Sequence, residues 1–145
     1  MTQIDFYTHV SDKHRLACVL TAKALDRGLR VAIYGGGDST DMVDRLLWST
    51  PPTGFIPHCR PRHALAAQTP VILYREPEEL VHDQVLLNLD ADRPPFFSRF
   101  QRLIEIVTLD RADREAARQR YRFYRDRGYE IRSHDLGNIR ARLTG

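Results

Sequence analysis

Between Asp110 and Arg127 the chain carries seven arginines against four acids, so this stretch alone holds +3, equal to the formal net charge of all 145 residues. At 100° per residue, Arg111, Arg114, Arg118, Arg122 and Arg125 share one helical arc of roughly 80°. Tyr121 flanks that arc. A guanidinium presents a planar fork of donors that matches carboxylate or phosphate oxygens two at a time. Five of them on one arc with few acid partners repel one another, so the surface calls for an acidic partner. Nucleic acid is one candidate, although no aromatic stacking series or helix-in-groove motif accompanies the stripe. An acidic peptide is the other. It needs arginines for its carboxylates and an apolar slot for an anchor side chain, and Tyr121 with Val107 just before the helix could supply the slot.

The remaining chemistry-bearing residues make weaker patterns. Tyr34-Gly35-Gly36-Gly37-Asp38 follows a strand and opens a helix, the place where a phosphate can bind. It lacks the G-x-G-x-x-G spacing, and Asp38 and Asp41 would repel an anion, so it reads first as a structural turn with a helix cap. Asp5, Asp38, Asp83 and Asp90 could lie at strand ends, as in a metal nuclease, but surface or capping roles account for each. Six histidines show no pair at ligand spacing with a third donor nearby. His58-Cys59 reads as loop packing, and no G-x-S-x-G elbow is present. No catalytic centre, cofactor site or metal site is expected. Trp48, the only tryptophan, precedes S-T-P-P-T-G-F-I-P-H. Trp48 and Phe55 beside prolines form a rigid apolar ledge that either closes the core edge or binds another protein.

The elements that must position these groups follow from periodicity. Ile4 to Tyr7 reads as a strand, and Ser11 or Asp12 caps a helix that Gly28 ends near Arg27. Leu29 to Tyr34 has the continuous hydrophobicity of a buried parallel strand, making a βαβ unit. Asp38 or Ser39 caps a second helix through Trp48, stopped by Pro51-Pro52. Ser49 to Thr69 is an irregular excursion holding four of the eight prolines. Val71–Tyr74 and Val85–Leu89 read as strands, Phe96–Phe100 as a short helical segment, and Arg102–Val107 as a strand. The arginine helix has Asp110 at its N-cap and Gly128 as its stop, with Ala112, Ala116, Phe123 and Tyr124 as its buried face. Arg120 projects toward that face without a role. Tyr129–His134 reads as the last strand, and Leu136 to Gly145 as a tail that frays. The order predicts a Rossmann-like α/β fold, a three-layer α/β/α arrangement on a mainly parallel sheet, in one domain over residues 1–145.

A 42% hydrophobic and 28% charged composition is that of a globular protein, not a disordered one. Two cysteines, Cys18 and Cys59, make no disulfide framework and fit a reducing compartment. With no leader pattern and no apolar run of about 18 residues, a cytoplasmic protein without membrane contact is expected.

Over nearly its whole length the chain resembles the chi-subunit family of the bacterial DNA polymerase III holoenzyme. The resemblance is carried by I-D-F-Y near the start, by D-R-L-L-W-S-T-P-P-T-G-F-I-P-H (Asp44 to His58), by V-L-L-N-L, and by R-Q-R-Y-R-F-Y-R-D-R-G-Y (Arg118 to Tyr129). It implies a non-catalytic accessory subunit of the clamp-loader assembly, associated with the replisome and touching DNA indirectly. The implied partners are the acidic C-terminal tail of single-stranded DNA-binding protein and the small psi subunit. The family's tail-binding arginine and tyrosine fall on Arg118 and Tyr121, its neighbouring basic positions on Arg114 and Arg122, and its apolar position on Val107. Its psi-facing aromatics fall on Trp48 and Phe55. Arg122 stands where the family has a lysine, and the chain departs from the pattern around Arg60 to Gln68 and past His134. The rival expectation is a nucleotide- or adenosylmethionine-binding Rossmann-like enzyme using the Gly35–Gly37 turn.

Overall fold

The computed structural model describes residues 1–49, 56–77 and 80–137. In chain order the elements are β1 (Gln3–Val10), α1 (Lys13–Asp26), β2 (Val31–Tyr34), α2 (Gly37–Ser49) and β3 (His58–Cys59). They continue with β4 (Val71–Tyr74), β5 (Val85–Asn88), β6 (Arg102–Thr108), α3 (Arg111–Asp126) and β7 (Ile131–Asp135). Single 3₁₀ turns at Ala66–Gln68 and Phe97–Arg99 lie in the connections. The seven strands form one sheet in the order β3-β4-β2-β5-β6-β1-β7, and every pairing is parallel.

Every residue of β2, β4 and β5 is buried: the apolar runs VAIY, VILY and VLL require it of strands covered on both faces, and Asn88 at the end of β5 is buried through its bond to Glu105. Alternation along the strands divides the core in two. Ile33, Leu73, Leu87, Ile104 and Ile106 pack under α1 and α2, with Val43 and Leu47 as the apolar stripe of α2. Ala32, Ile72, Leu86 and Leu103 pack on the other face with Phe97, Phe100, Ala117 and Tyr124. The crossovers β1→β2 and β2→β3 run toward the β3 edge and carry α1 and α2, whereas β6→β7 runs the opposite way and carries α3 on the opposite face. A single crossover hand requires that coupling of direction to face.

The expected first βαβ unit is present as a wide crossover, with β5 and β6 lying between β1 and β2. Three details depart from expectation. α2 begins at Gly37, ahead of the expected cap, so Asp38 sits in the first helical turn. The excursion after α2 contains β3, which pairs with β4 through His58 and Cys59; two residues are too few for a periodicity to show. The buried face of α3 is Ala117, Arg120 and Tyr124, while Ala112 is exposed and Ala116 and Phe123 are only partly covered.

Arg120 is buried because its partner is buried. Glu105, fully enclosed on β6, receives Arg120 Nε at 3.1 Å and Asn88 Nδ2 at 2.9 Å on Oε1, and Tyr124 OH at 2.7 Å on Oε2. Arg120 Nη1 also donates to the Ala91 carbonyl at 2.6 Å, which ties α3 to the loop after β5. Burial pushes the Glu105 carboxyl above its usual range, against the pull of Arg120 and of the hydrogen bonds from Tyr124 and Asn88. Asp5 is likewise fully buried, held by Arg102 Nε at 2.7 Å and His134 Nε2 at 3.1 Å, which replaces its expected surface role.

The Gly35–Gly37 turn is packed as part of the scaffold. A Cβ on Gly35 would meet Leu89 Cβ at 3.0 Å, and Gly35 N donates to the Tyr74 carbonyl at 3.0 Å. Beside it, Asp41 pairs with both Arg60 and Arg75. The tail expected to fray lies, from residue 138 onward, outside the described residues.

Candidate peptide-binding site

The chain leaves the C-terminal ends of β1 and β6 in opposite directions, although the two strands are neighbours. Such a switch of direction opens a crevice beyond the strand ends. Here the crevice becomes a pocket of about 320 Å³. Its floor is Phe6 and Val107 from the sheet with Ala117 from α3. Its walls are Arg114, Arg118 and Tyr121 on α3, with Thr8, His9, Thr108 and Ser133 from the strand ends.

Each side chain is held in place by a local device. Arg114, Ala117, Arg118 and Tyr121 stand at i, i+3, i+4 and i+7, so one stripe of α3 faces the pocket. The helix start is tied down twice: Asp113 N donates to Asp110 Oδ2 at 3.1 Å, and Asp113 Oδ2 accepts from Thr108 N at 2.8 Å and Thr108 Oγ1 at 2.9 Å. That reciprocal link fixes the angle between β6 and α3. Ala117 is small enough to leave the floor open. The Tyr121 ring packs edge-on against Phe6 at 5.5 Å between centroids, which orients it as a wall. On β1 the register shifts between Tyr7 and Val10, and His9 adopts a left-handed φ of 57°. A bulge of this kind re-aims side chains at a strand end, and Thr8 and His9 line the pocket there. His9 Nδ1 is 2.8 Å from Asp135 Oδ1 across the end of β7.

The arginines sort themselves by partner. Arg111 pairs with Glu115, Arg125 with Asp126 and Arg120 with Glu105, while Arg127 stacks over the Phe123 ring. Arg114, Arg118 and Arg122 make no side-chain ion pair among the described residues. Three cationic groups without an internal counter-charge thus lie at or beside an apolar concavity. Arg114 and Arg118 line it; Arg122, one turn beyond Arg118, does not, and lies exposed on the helix surface. The sequence expectation did not include Phe6, Thr8, His9, Ala117 or Ser133. The alternation Ile4–Phe6 could have placed Phe6 on the α3 face, but a bulge and a small helix residue leave no pattern of their own.

Trp48 lies far from this pocket. It ends α2, which packs on the sheet face opposite α3 and toward the β3 edge. Its side chain is 61% exposed, so it does not close the core edge. The ring packs edge-on to His58 at 5.5 Å, and His58 is itself held by Asp44 Oδ1 and the Ile56 carbonyl, each at 2.6 Å. Phe55 lies outside the described residues. Among the described residues, no group of three or more His, Cys, Asp or Glu is placed to hold a metal ion. No described helix is long and apolar enough to cross a membrane.

The comparisons with known proteins agree on one family. Residues 1–132 match the family model described as DNA polymerase III chi subunit, HolC. The chain is 34% identical over 144 residues to the DNA polymerase III subunit chi of Pseudomonas aeruginosa, covering 96% of this chain and all of that one. It is 29% identical over 124 residues to the subunit chi of Haemophilus influenzae, covering 84% and 86% of the two chains. To the subunit chi of Escherichia coli it is 24% identical over 124 residues, covering 84% of each. The arginine helix, Trp48 and every pocket residue but Ser133 lie within the span that the family model matches, and the chain belongs to the DNA polymerase III chi-subunit family.

Proposed function

We propose that this chain is a non-catalytic adaptor of the DNA polymerase III clamp-loader assembly, acting in the cytoplasm, which binds the acidic C-terminal tail of single-stranded DNA-binding protein. The observation that carries the reading is the pocket between β1, β6 and α3, apolar at its floor and lined by two arginines that have no acid partner among the described residues. A peptide ending in an aromatic residue offers the complementary groups. The terminal ring enters between Phe6, Val107 and Tyr121, the α-carboxylate meets Arg118, and upstream aspartates are drawn to Arg114 and Arg122. Calorimetry with the tail peptide, and with the same peptide lacking its last residue, tests this directly. Binding is expected to collapse without the terminal aromatic residue. Undiminished affinity would remove the pocket from the reading.

An adaptor needs a second surface remote from the first. Trp48, on the opposite sheet face and toward the opposite edge, is proposed with Phe55, seven residues on in sequence, to face a psi-like clamp-loader protein. Truncating an exposed aromatic anchor typically costs about 2 kcal/mol or more of binding. Trp48→Ala is therefore expected to abolish pull-down of that protein while leaving tail-peptide affinity unchanged. Retention of the partner by the variant would return Trp48 to a purely structural role.

A further inference from the structure

Among the described residues His9 is the one non-glycine with a left-handed backbone, at φ 57°. The cause lies in the register of β1. Tyr7 pairs with Ile106 and Val10 with Thr108, so β1 advances three residues while β6 advances two. Tyr7 and Val10 both pack with the core under α1 and α2, and the extra residue leaves Thr8 and His9 together at the pocket on the other side. Plain alternation would send His9 to the face of Tyr7. A left-handed conformation is unfavourable for a residue with a Cβ, and such strain persists only where the surroundings hold it.

What holds it here is a seat for the imidazole. Asp135 Oδ1 lies 2.8 Å from His9 Nδ1 and also accepts from Gly137 N at 2.9 Å. Gly137 approaches so closely that a Cβ on it would stand 3.1 Å from His9 Cβ and 3.3 Å from its Cγ. The pairing of β7 with β1, Thr8 against Asp135, brings that carboxylate level with the bulge. A carboxylate oxygen at 2.8 Å repels a lone pair, so Nδ1 carries a proton. Nε2 makes no hydrogen bond among the described residues and is the ring nitrogen left for a ligand.

Given the peptide-binding reading of the pocket, on which this rests, we propose that His9 is a further binding residue there, donating Nε2–H to a carboxylate of the bound peptide, so that binding takes up a proton from solvent. With a proton on Nδ1, a neutral ring offers a lone pair at Nε2, which repels a carboxylate; the imidazolium offers a donor. The charges facing the ring are divided. Asp135 on β7 favours the imidazolium, while Arg114 and Arg118 on α3 oppose it. Toward β6 the neighbour is Thr108, whose hydroxyl donates to Asp113 Oδ2. An acidic peptide offsets the two arginines and adds its own negative charge, which tips the ring to the imidazolium. A charge gained on binding makes affinity greater at low pH, and the gain is lost as pH rises. His134 lies on the opposite sheet face, stacked on Tyr7 and paired with Asp5.

Calorimetry on the full chain with an aspartate-rich peptide ending in phenylalanine tests this at pH 7 in phosphate and in Tris, buffers whose ionisation enthalpies differ widely. A proton taken up at His9 is drawn from the buffer, so the parent's apparent enthalpy is expected to differ between the two. Its affinity is expected to rise about three- to fivefold from pH 8 to pH 6. His9→Asn is the matched variant, because asparagine tolerates the left-handed conformation and does not titrate. Its affinity at pH 8 is expected to match the parent's, which shows that it is folded. Its enthalpy should be the same in both buffers, and its affinity should not rise at pH 6. Equal parent enthalpies in the two buffers, or a buffer dependence that His9→Asn keeps, overturn the proposal and leave the pocket reading standing. Loss of binding by His9→Asn at pH 8 makes His9 structural and overturns it too. A peptide that the parent does not bind removes the pocket reading, and this proposal with it.

Discussion

Arg120→Ala is expected to destabilise the protein by about 3–5 kcal/mol, the cost of leaving a buried carboxylate without its ion partner. Against a typical total of about 5–15 kcal/mol, that is a large fraction, visible as a lower urea midpoint. Glu105 has no exposure through which water could replace the lost guanidinium. The pH dependence carries a signature. The Glu105 carboxyl already sits above its usual range because of burial, and Arg120 is the chief influence holding it down. Removing Arg120 raises it further. A folded-state value above the unfolded one means that the folded chain holds the proton more tightly, so the penalty is absent below the unfolded value of about 4.3 and grows as pH rises through the folded one. The deficit of Arg120→Ala relative to the parent should therefore be small near pH 4 and large near pH 7. Glu105→Gln/Arg120→Met, which removes both charges, keeps an acceptor for Asn88 and offers an amide N–H that the Tyr124 hydroxyl can accept, should lose less than Arg120→Ala alone at pH 7. A double variant no better than the single one would show that packing, not charge, holds this site.

Arg118→Ala should weaken tail-peptide binding by about 2 kcal/mol, a factor of about 30 in Kd, because the α-carboxylate would enter the pocket without its charged partner. Arg118→Lys keeps the charge and loses the planar fork, so an intermediate loss is expected. Arg111→Ala is the matched control. Its side chain is 92% exposed and paired with Glu115, and exposed pairs are worth little, so calorimetry should register almost no change. Raising salt should reduce the parent's affinity more than that of Arg118→Ala, since exposed charges are screened beyond about 8–10 Å. If Arg118→Ala and Arg111→Ala behaved alike, the stripe would be acting as a diffuse cation and the pocket would have no special part.

Both predictions concern one helix, and the sequence informed them unequally. The caps, the Gly128 stop and the arc of Arg114, Arg118 and Arg122 follow from residues within one segment, where spacing maps directly onto a helical face. The strands β2, β4 and β5 were legible for the same reason: three or four consecutive apolar residues have no solvent-facing alternative. The buried face of α3 was not. Reading arginine as exposed rotates the inferred face toward Ala112 and Ala116, and only Glu105, fifteen residues upstream on a neighbouring strand, explains why Arg120 turns inward.

The sequence by itself determined the parallel α/β class, the basic helix and, through the Asp44–His58 and Arg118–Tyr129 segments, the family. These are properties of local periodicity and residue type. Strand order, the switch of direction between β1 and β6, and the bulge at His9 were decided by tertiary structure, because they depend on which strands meet and where the chain turns back. Tertiary structure therefore made the difference between a charged stripe and a pocket. It set Phe6 and Val107 beneath Ala117, left Arg114 and Arg118 without acids among the described residues, and put Trp48 on the other side of the sheet from them.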